Sequence, residues 1–232
     1  MKKYLRIANF QKVLQRLQTH FGPQYWWPAR SSFEVCVGAI LTQNTAWNNV
    51  ERAISNLRKA QVLIPHRLFN LTYHQLAHLL RPSGYFNIKT QRLKAFLSFY
   101  KEKFHFSIAR MKQQNTETLR KQLLEISGIG RETADSILLY ALEKPIFVVD
   151  AYTRRIFTRH RWIHGHEDYD EIRLLVERSW KEIYPHFKIR DYNELHALLV
   201  AVGKSYCHPH IPLCCKCPLQ KMLPKESRLT CS

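Results

Sequence analysis

The sequence predicts an all-α fold. Apolar residues recur at spacings of three and four along most of the 232 residues, only one short run looks extended, and neither an internal repeat nor a Gly/Ser-rich linker divides the chain. With 45% hydrophobic and 12% aromatic residues but only 7 Gly and 10 Pro, the composition is that of a chain that buries a core. The length suits one large domain or two modest ones, and without a linker two lobes would pack together.

In chain order, the helical period first spans Leu5 to Leu17. It returns in Phe33 to Ile40, Val50 to Leu57, Tyr73 to Leu80 and Lys89 to Phe104. It appears again in Thr116 to Ile126, Thr133 to Leu142, Ala151 to Phe157, Tyr169 to Tyr184 and Tyr192 to Val202. About ten helices are expected. Pro145 to Val149 is the one extended apolar run, and its place between a helical stretch and Asp150 is that of a connection. The composition shifts once, at Cys207.

Lys and Arg total 36 against 18 Asp and Glu, a net charge of +18. Such an excess on a compact body creates a strong positive field, so a polyanion is the expected partner. Nucleic acid is preferred to an anionic membrane because the basic residues run the whole length and are interleaved with Tyr, Trp and Phe. The longest apolar stretches, such as Phe33 to Leu41 and Ala197 to Val202, fall well short of the roughly 20 residues of a bilayer span. Met1 to Phe10 lacks the uninterrupted apolar region of a secretory signal. A reducing, cytoplasmic location is therefore expected, nucleoid-associated if the source is bacterial, and the cysteines are not read as disulfides.

The run Ile126-Ser127-Gly128-Ile129-Gly130-Arg131-Glu132-Thr133 sets two glycines between amphipathic helices. Glycines there permit backbone geometry that other residues resist, Ile129 can plug the interhelical core, and the next helix starts with exposed amides. Such amides, with the positive end of the helix dipole, can hold a phosphate oxygen whatever the base sequence. A glycine-terminated helix followed by another helix is the plain alternative.

This hairpin, followed by Val148-Val149-Asp150 and preceded by Gly38-Ala39-Ile40-Leu41-Thr42-Gln43-Asn44-Thr45, resembles the helix-hairpin-helix (HhH-GPD) DNA glycosylase superfamily that includes endonuclease III. The resemblance extends to Cys207 and so covers most of the chain. It implies a two-lobed fold. Residues 30–143 would form a six-helix barrel domain with the hairpin, and residues 1–29 with 144–232 a second helical lobe carrying a cysteine loop, with the target between them. It also implies that Gln43, Gly128, Ile129, Gly130, Arg131, Thr133 and Lys204 contact DNA, with Gln43 filling the gap left by an extruded nucleotide. A monomer acting on double-stranded DNA is expected.

Asp150 would cap the helix beginning at Ala151 whatever the protein does. The resemblance adds a catalytic role, since the superfamily's essential Asp occupies this place. A carboxylate beside the sugar can stabilise developing positive charge and orient or deprotonate water. In bifunctional members, a Lys two residues beyond the hairpin's second glycine forms an imine and cuts the strand. Glu132 stands there in this chain, which points to a monofunctional enzyme unless another amine such as Lys204 enters the site.

Tyr25-Trp26-Trp27-Pro28 and Trp47 supply flat aromatic faces that suit a purine, and they attract a cationic one such as 3-methyladenine. Core packing by Trp26 and Trp47 is the alternative. Trp-Trp-Pro followed by Leu-Thr-Gln-Asn-Thr is similar to the 3-methyladenine DNA glycosylase III branch. The implied base pocket is Trp26, Trp27, Pro28 and Trp47.

Five of the six cysteines lie at or beyond position 207, and that clustering implies a metal. Cys207, Cys214 and Cys217 match the spacing of the first three ligands in the endonuclease III cluster loop, which implies a 4Fe-4S cluster. Leu223 stands where the family keeps its fourth cysteine. Cys231 is favoured as the replacement ligand, with Cys215 as the alternative. Zinc is the competing metal, because His208 and His210 adjoin Cys207. The functional expectation is a monofunctional DNA glycosylase for alkylated purines. The alternatives are a bifunctional glycosylase and lyase for oxidised pyrimidines, and a cluster-bearing DNA-binding protein without catalysis.

Overall fold

The computed structural model describes residues 9–183 and 188–228, and among them are helices and turns but no strand. The described α-helices are α1 (Phe10–Phe21), α2 (Ser32–Leu41), α3 (Trp47–Lys59), α4 (Pro65–Asn70), α5 (Tyr73–Leu80), α6 (Phe86–Phe104) and α7 (Ile108–Gln113). They continue with α8 (Thr116–Leu124), α9 (Arg131–Ser136), α10 (Ala151–Arg159), α11 (Tyr169–Ile183), α12 (Ile189–Ser205) and α13 (Lys225–Arg228). The chain divides into two compact units, one of Trp27–Lys144 and one of Met1–Trp26 with Pro145–Ser232.

In the unit Trp27–Lys144, α2 is apolar on every side, as a central helix must be. Phe33 through Leu41 are all buried, and α3, α6 and α9 pack against the helix. Ser31 starts it by accepting a hydrogen bond from the Glu34 amide at 3.2 Å. Glu34 is itself buried, and Arg58 compensates it through Nε at 3.1 Å and through Nη2. α4 and α7 were not expected, because six residues are too few for a period to show. Their signals are local, Pro65 in the first turn of α4 and the Ser107 cap on α7. The helix expected from Thr133 begins at Arg131, and its second half, Ile137–Ala141, widens into a π-turn.

In the other unit, α1 packs on α11 and α12, and α10 packs on α12. Phe10 stacks on Phe157 with ring centres 5.2 Å apart and meets Trp162 edge-on at 5.8 Å. The expected helical residues Leu5 to Ala8 lie outside the described residues. Ile146, Phe147, Val148 and Val149 are almost wholly buried in an extended segment that pairs with no strand. Side chains satisfy this backbone instead, as burial requires. The Phe147 amide donates to Glu177 Oε1 at 3.0 Å and the Val149 amide to the Tyr169 hydroxyl at 3.3 Å. No described helix is long and apolar enough to cross a membrane.

Candidate active site and nucleic-acid interface

The hairpin is held from within. Arg120 of α8 and Asp135 of α9, both buried, pair through two hydrogen bonds of 2.7 and 3.1 Å, and Ile126 and Ile129 are buried beside them. Gly128 has φ +83°, and a Cβ there would come within 2.4 Å of the Arg92 side chain. Both facts require glycine. The expectation that Gly130 also relieves the backbone is corrected: its φ of −89° and ψ of 177° are ordinary extended values. What Gly130 provides is space, because a Cβ there would meet nothing within 4 Å. It stands at the N-cap of α9 without a side-chain cap, with Arg131 and Glu132 exposed just beyond. First-turn amides with open space in front of them are what an approaching phosphate needs.

Gln43 joins this hairpin. Its Nε2 donates to the Gly128 carbonyl and to the Thr133 hydroxyl, both at 2.9 Å, and its Oε1 accepts from Arg92 Nη1 at 2.6 Å. Both ends of the amide are thus used to fix the loop after α2 against the hairpin. Filling a gap in a duplex would require Gln43 to exchange these bonds. Arg92, on α6, is a residue that sequence reasoning missed.

Trp27 lies against α2, where a Cβ on Gly38 would sit 3.2 Å from its ring. Its ring meets Trp47 edge-on, with centres 5.1 Å apart and planes at 84°, and Tyr140 at 5.4 Å. Tyr140 comes from the π-turn, an irregularity that recurs at functional sites. Pro28, next to Trp27, is exposed. Trp26 belongs to the other unit, where Lys204 Nζ stands 5.9 Å from the centre of its ring.

Asp150 caps α10, accepting from the Thr153 amide at 2.7 Å through Oδ1. Its other oxygen lies 3.6 Å from His196 Nε2, within ion-pair range but just beyond hydrogen-bonding distance. Burial alone would raise the carboxyl pKa, but His196 and the Thr153 donors outweigh it and hold the group below the ordinary value. The carboxylate is therefore ionised at neutral pH. His196 comes from α12, which packs so tightly on α10 that a Cβ on Gly203 would fall 2.1 Å from the Tyr152 ring. The sequence reading missed His196 because an apolar helical run disguises it.

Cys207, Cys214 and Cys217 line one small cavity, and none is in a disulfide. Burial pushes the Cys217 thiol up to about 11, and the neighbouring Cys207 and Cys214 add to the rise. Three thiols turned to one space suit a thiophilic metal or cluster, whose positive charge would hold them as thiolates. Arg159 Nη1 donates to Cys207 Sγ at 3.1 Å and to the His208 carbonyl at 2.7 Å, fixing the loop. Cys215 is exposed and is not among the lining residues. Cys231 lies outside the described residues.

The fold and these sites define a helical protein built around a helix-hairpin-helix. The HhH-GPD superfamily base excision DNA repair protein family matches residues 37–182, and the chain belongs to that family. A Methanocaldococcus jannaschii protein assigned as a DNA repair glycosylase is 43% identical over 217 residues, 93% of this chain and 96% of that one. The Helicobacter pylori 3-methyladenine DNA glycosylase, solved bound to 1,N6-ethenoadenine, superposes with TM-score 0.74 at 30% identity, over 85% of this chain and 98% of that one. A non-covalent endonuclease III–DNA complex shares the fold, with TM-score 0.76 at 16% identity, over 97% and 100% of the two chains. The protein is a base excision DNA repair glycosylase.

Proposed function

We propose that this glycosylase hydrolyses alkylated purines of the 3-methyladenine kind from double-stranded DNA and leaves the strand intact. The aromatic group of Trp27, Trp47 and Tyr140 carries the reading. Aromatic faces hold a flat cationic purine by stacking and by an attraction of about 0.5 to 2 kcal/mol. The 30% identity to the Helicobacter pylori 3-methyladenine glycosylase supports it.

The reaction needs little beyond a carboxylate. A cationic base leaves with the electron pair of the glycosidic bond and becomes neutral. Asp150 stabilises the positive charge that develops on the sugar. Water then adds to the anomeric carbon, and its proton passes to Asp150 or solvent. His196 acts as a positioning residue that keeps this carboxylate ionised and oriented. Turning the base out of the duplex costs a few kcal/mol, least for a damaged base.

The open start of α9 grips the phosphate backbone, with Gln43 and Arg92 bracing the hairpin. Arg131 adds positive charge to that grip, and Lys204 of the other unit is a further DNA contact. Gly130→Val is expected to fold, since its backbone angles suit any residue, yet to weaken binding about tenfold for damaged and undamaged duplex alike. A titration on both duplexes checks this; loss confined to the damaged one contradicts it.

Cys207, Cys214 and Cys217, with Cys231 as fourth ligand, would hold a 4Fe-4S cluster. Such a cluster fixes the loop and adds no chemistry to the hydrolysis. We further place the protein in the cytoplasm as a monomer.

The absence of strand cleavage rests on Glu132, exposed at the start of α9, because a carboxylate forms no imine. Borohydride added during turnover is expected to trap no covalent adduct, and strands are expected to break only after alkali. A trapped adduct lost in Lys204→Ala would move the lyase amine to Lys204 and overturn the monofunctional reading.

A further inference from the structure

In the loop between α10 and α11, outside the hairpin, the Asp150 site and the cysteine loop, His164, His166 and Glu167 place one ligand atom each within 4.8 Å of one another. His164 and His166 are exposed, and Glu167 is buried. The two imidazole rings are 5.3 Å apart and tilted by 32°.

The carboxylate is built in advance. Glu167 Oε1 accepts from the His164 amide at 2.8 Å and lies 2.9 Å from His164 Nδ1, while Oε2 accepts from the Gly165 amide at 2.8 Å. Gly165, at φ +102°, supplies the turn that brings the two histidines to the same side of it. Two ligands of one tetrahedral zinc lie about 3.4 Å apart, so rotation of the exposed imidazoles closes the group on one ion.

We propose that His164, His166 and Glu167 form a metal site distinct from the cysteine loop, taking a borderline divalent cation such as Zn²⁺ with water in the fourth position. Two imidazoles and one carboxylate suit Zn²⁺ and its neighbours, and do not suit Mg²⁺ or Ca²⁺, which demand oxygen. The loop also flanks the catalytic segment. Arg154 of α10 donates to the Glu167 carbonyl at 2.6 Å, and the Tyr169 hydroxyl accepts from the Val149 amide, next to Asp150. An ion here would stiffen the support on both sides of Asp150.

The test is a titration of the full chain, purified with its cysteine loop loaded, with Co²⁺ as a visible probe. One equivalent should bind with weak d–d absorption and without thiolate charge transfer, Zn²⁺ should displace it, and binding should raise the melting temperature. His164→Ala and His166→Ala, both at exposed side chains, should each weaken this binding more than about tenfold while leaving the metal content of the cysteine loop unchanged. Absence of saturable binding at millimolar Co²⁺ would show that His164 and Glu167 form only an ion pair and would overturn the proposal. Binding unchanged in both histidine variants, or a thiolate band abolished by Cys214→Ser, would overturn it equally.

Discussion

Asp150→Asn is expected to abolish base release, by about 10²- to 10⁴-fold, while duplex affinity stays near the wild-type value. Asn caps a helix about as well as Asp, so the helix start at Ala151 survives, and the loss reports on charge. Single-turnover release against binding by the same variant separates the two, and a folded Asn variant with near-normal release would contradict the role. His196→Gln gives the pH signature. Folding lowers the Asp150 pKa, so the carboxylate contributes stability above its unfolded value and loses it as pH falls through the lower folded value. Without His196 the folded value rises, and the acid limb of the rate profile is expected to move to higher pH.

The second large effect lies in the cysteine loop. The purified protein is expected to be brown, and Cys207→Ser, Cys214→Ser or Cys217→Ser to remove the visible absorbance. Cys231→Ser should do the same, while Cys215→Ser, at an exposed residue, should leave it unchanged. Iron and zinc analysis with the visible spectrum decides, and a colourless protein with stoichiometric zinc would contradict the cluster.

Much of this molecule was legible in its sequence because periodic burial imposes periodic patterns. Tyr73–Leu80 is the helix that the apolar period delimits, and α2 was visible as the period from Phe33 to Ile40. Six-residue helices escaped, since two turns are too short for a period. The π-turn at Ile137–Ala141 has no composition of its own, and it sets Tyr140 5.4 Å from Trp27.

The site was legible where chemistry is local. Asp150 at a helix start and the need for glycine at Gly128 could be read from neighbours in the chain. Arg92 and His196 could not, because their partners lie 49 and 46 residues away. A buried polar residue in an apolar helical run was the only hint of His196. Gly38 and Gly203 carry a similar hint, since each stands within a helix where Trp27 or Tyr152 comes too close for a side chain.

The central claim is tested most directly by measuring base release from four duplexes that differ only in one nucleotide, 3-methyladenine, 7-methylguanine, uracil or thymine glycol. The account predicts fastest release of 3-methyladenine, with uracil and thymine glycol retained, and it predicts that Trp47→Ala reduces this release more than it reduces duplex binding. Preferential release of thymine glycol, or equal release of uracil and 3-methyladenine, would contradict it.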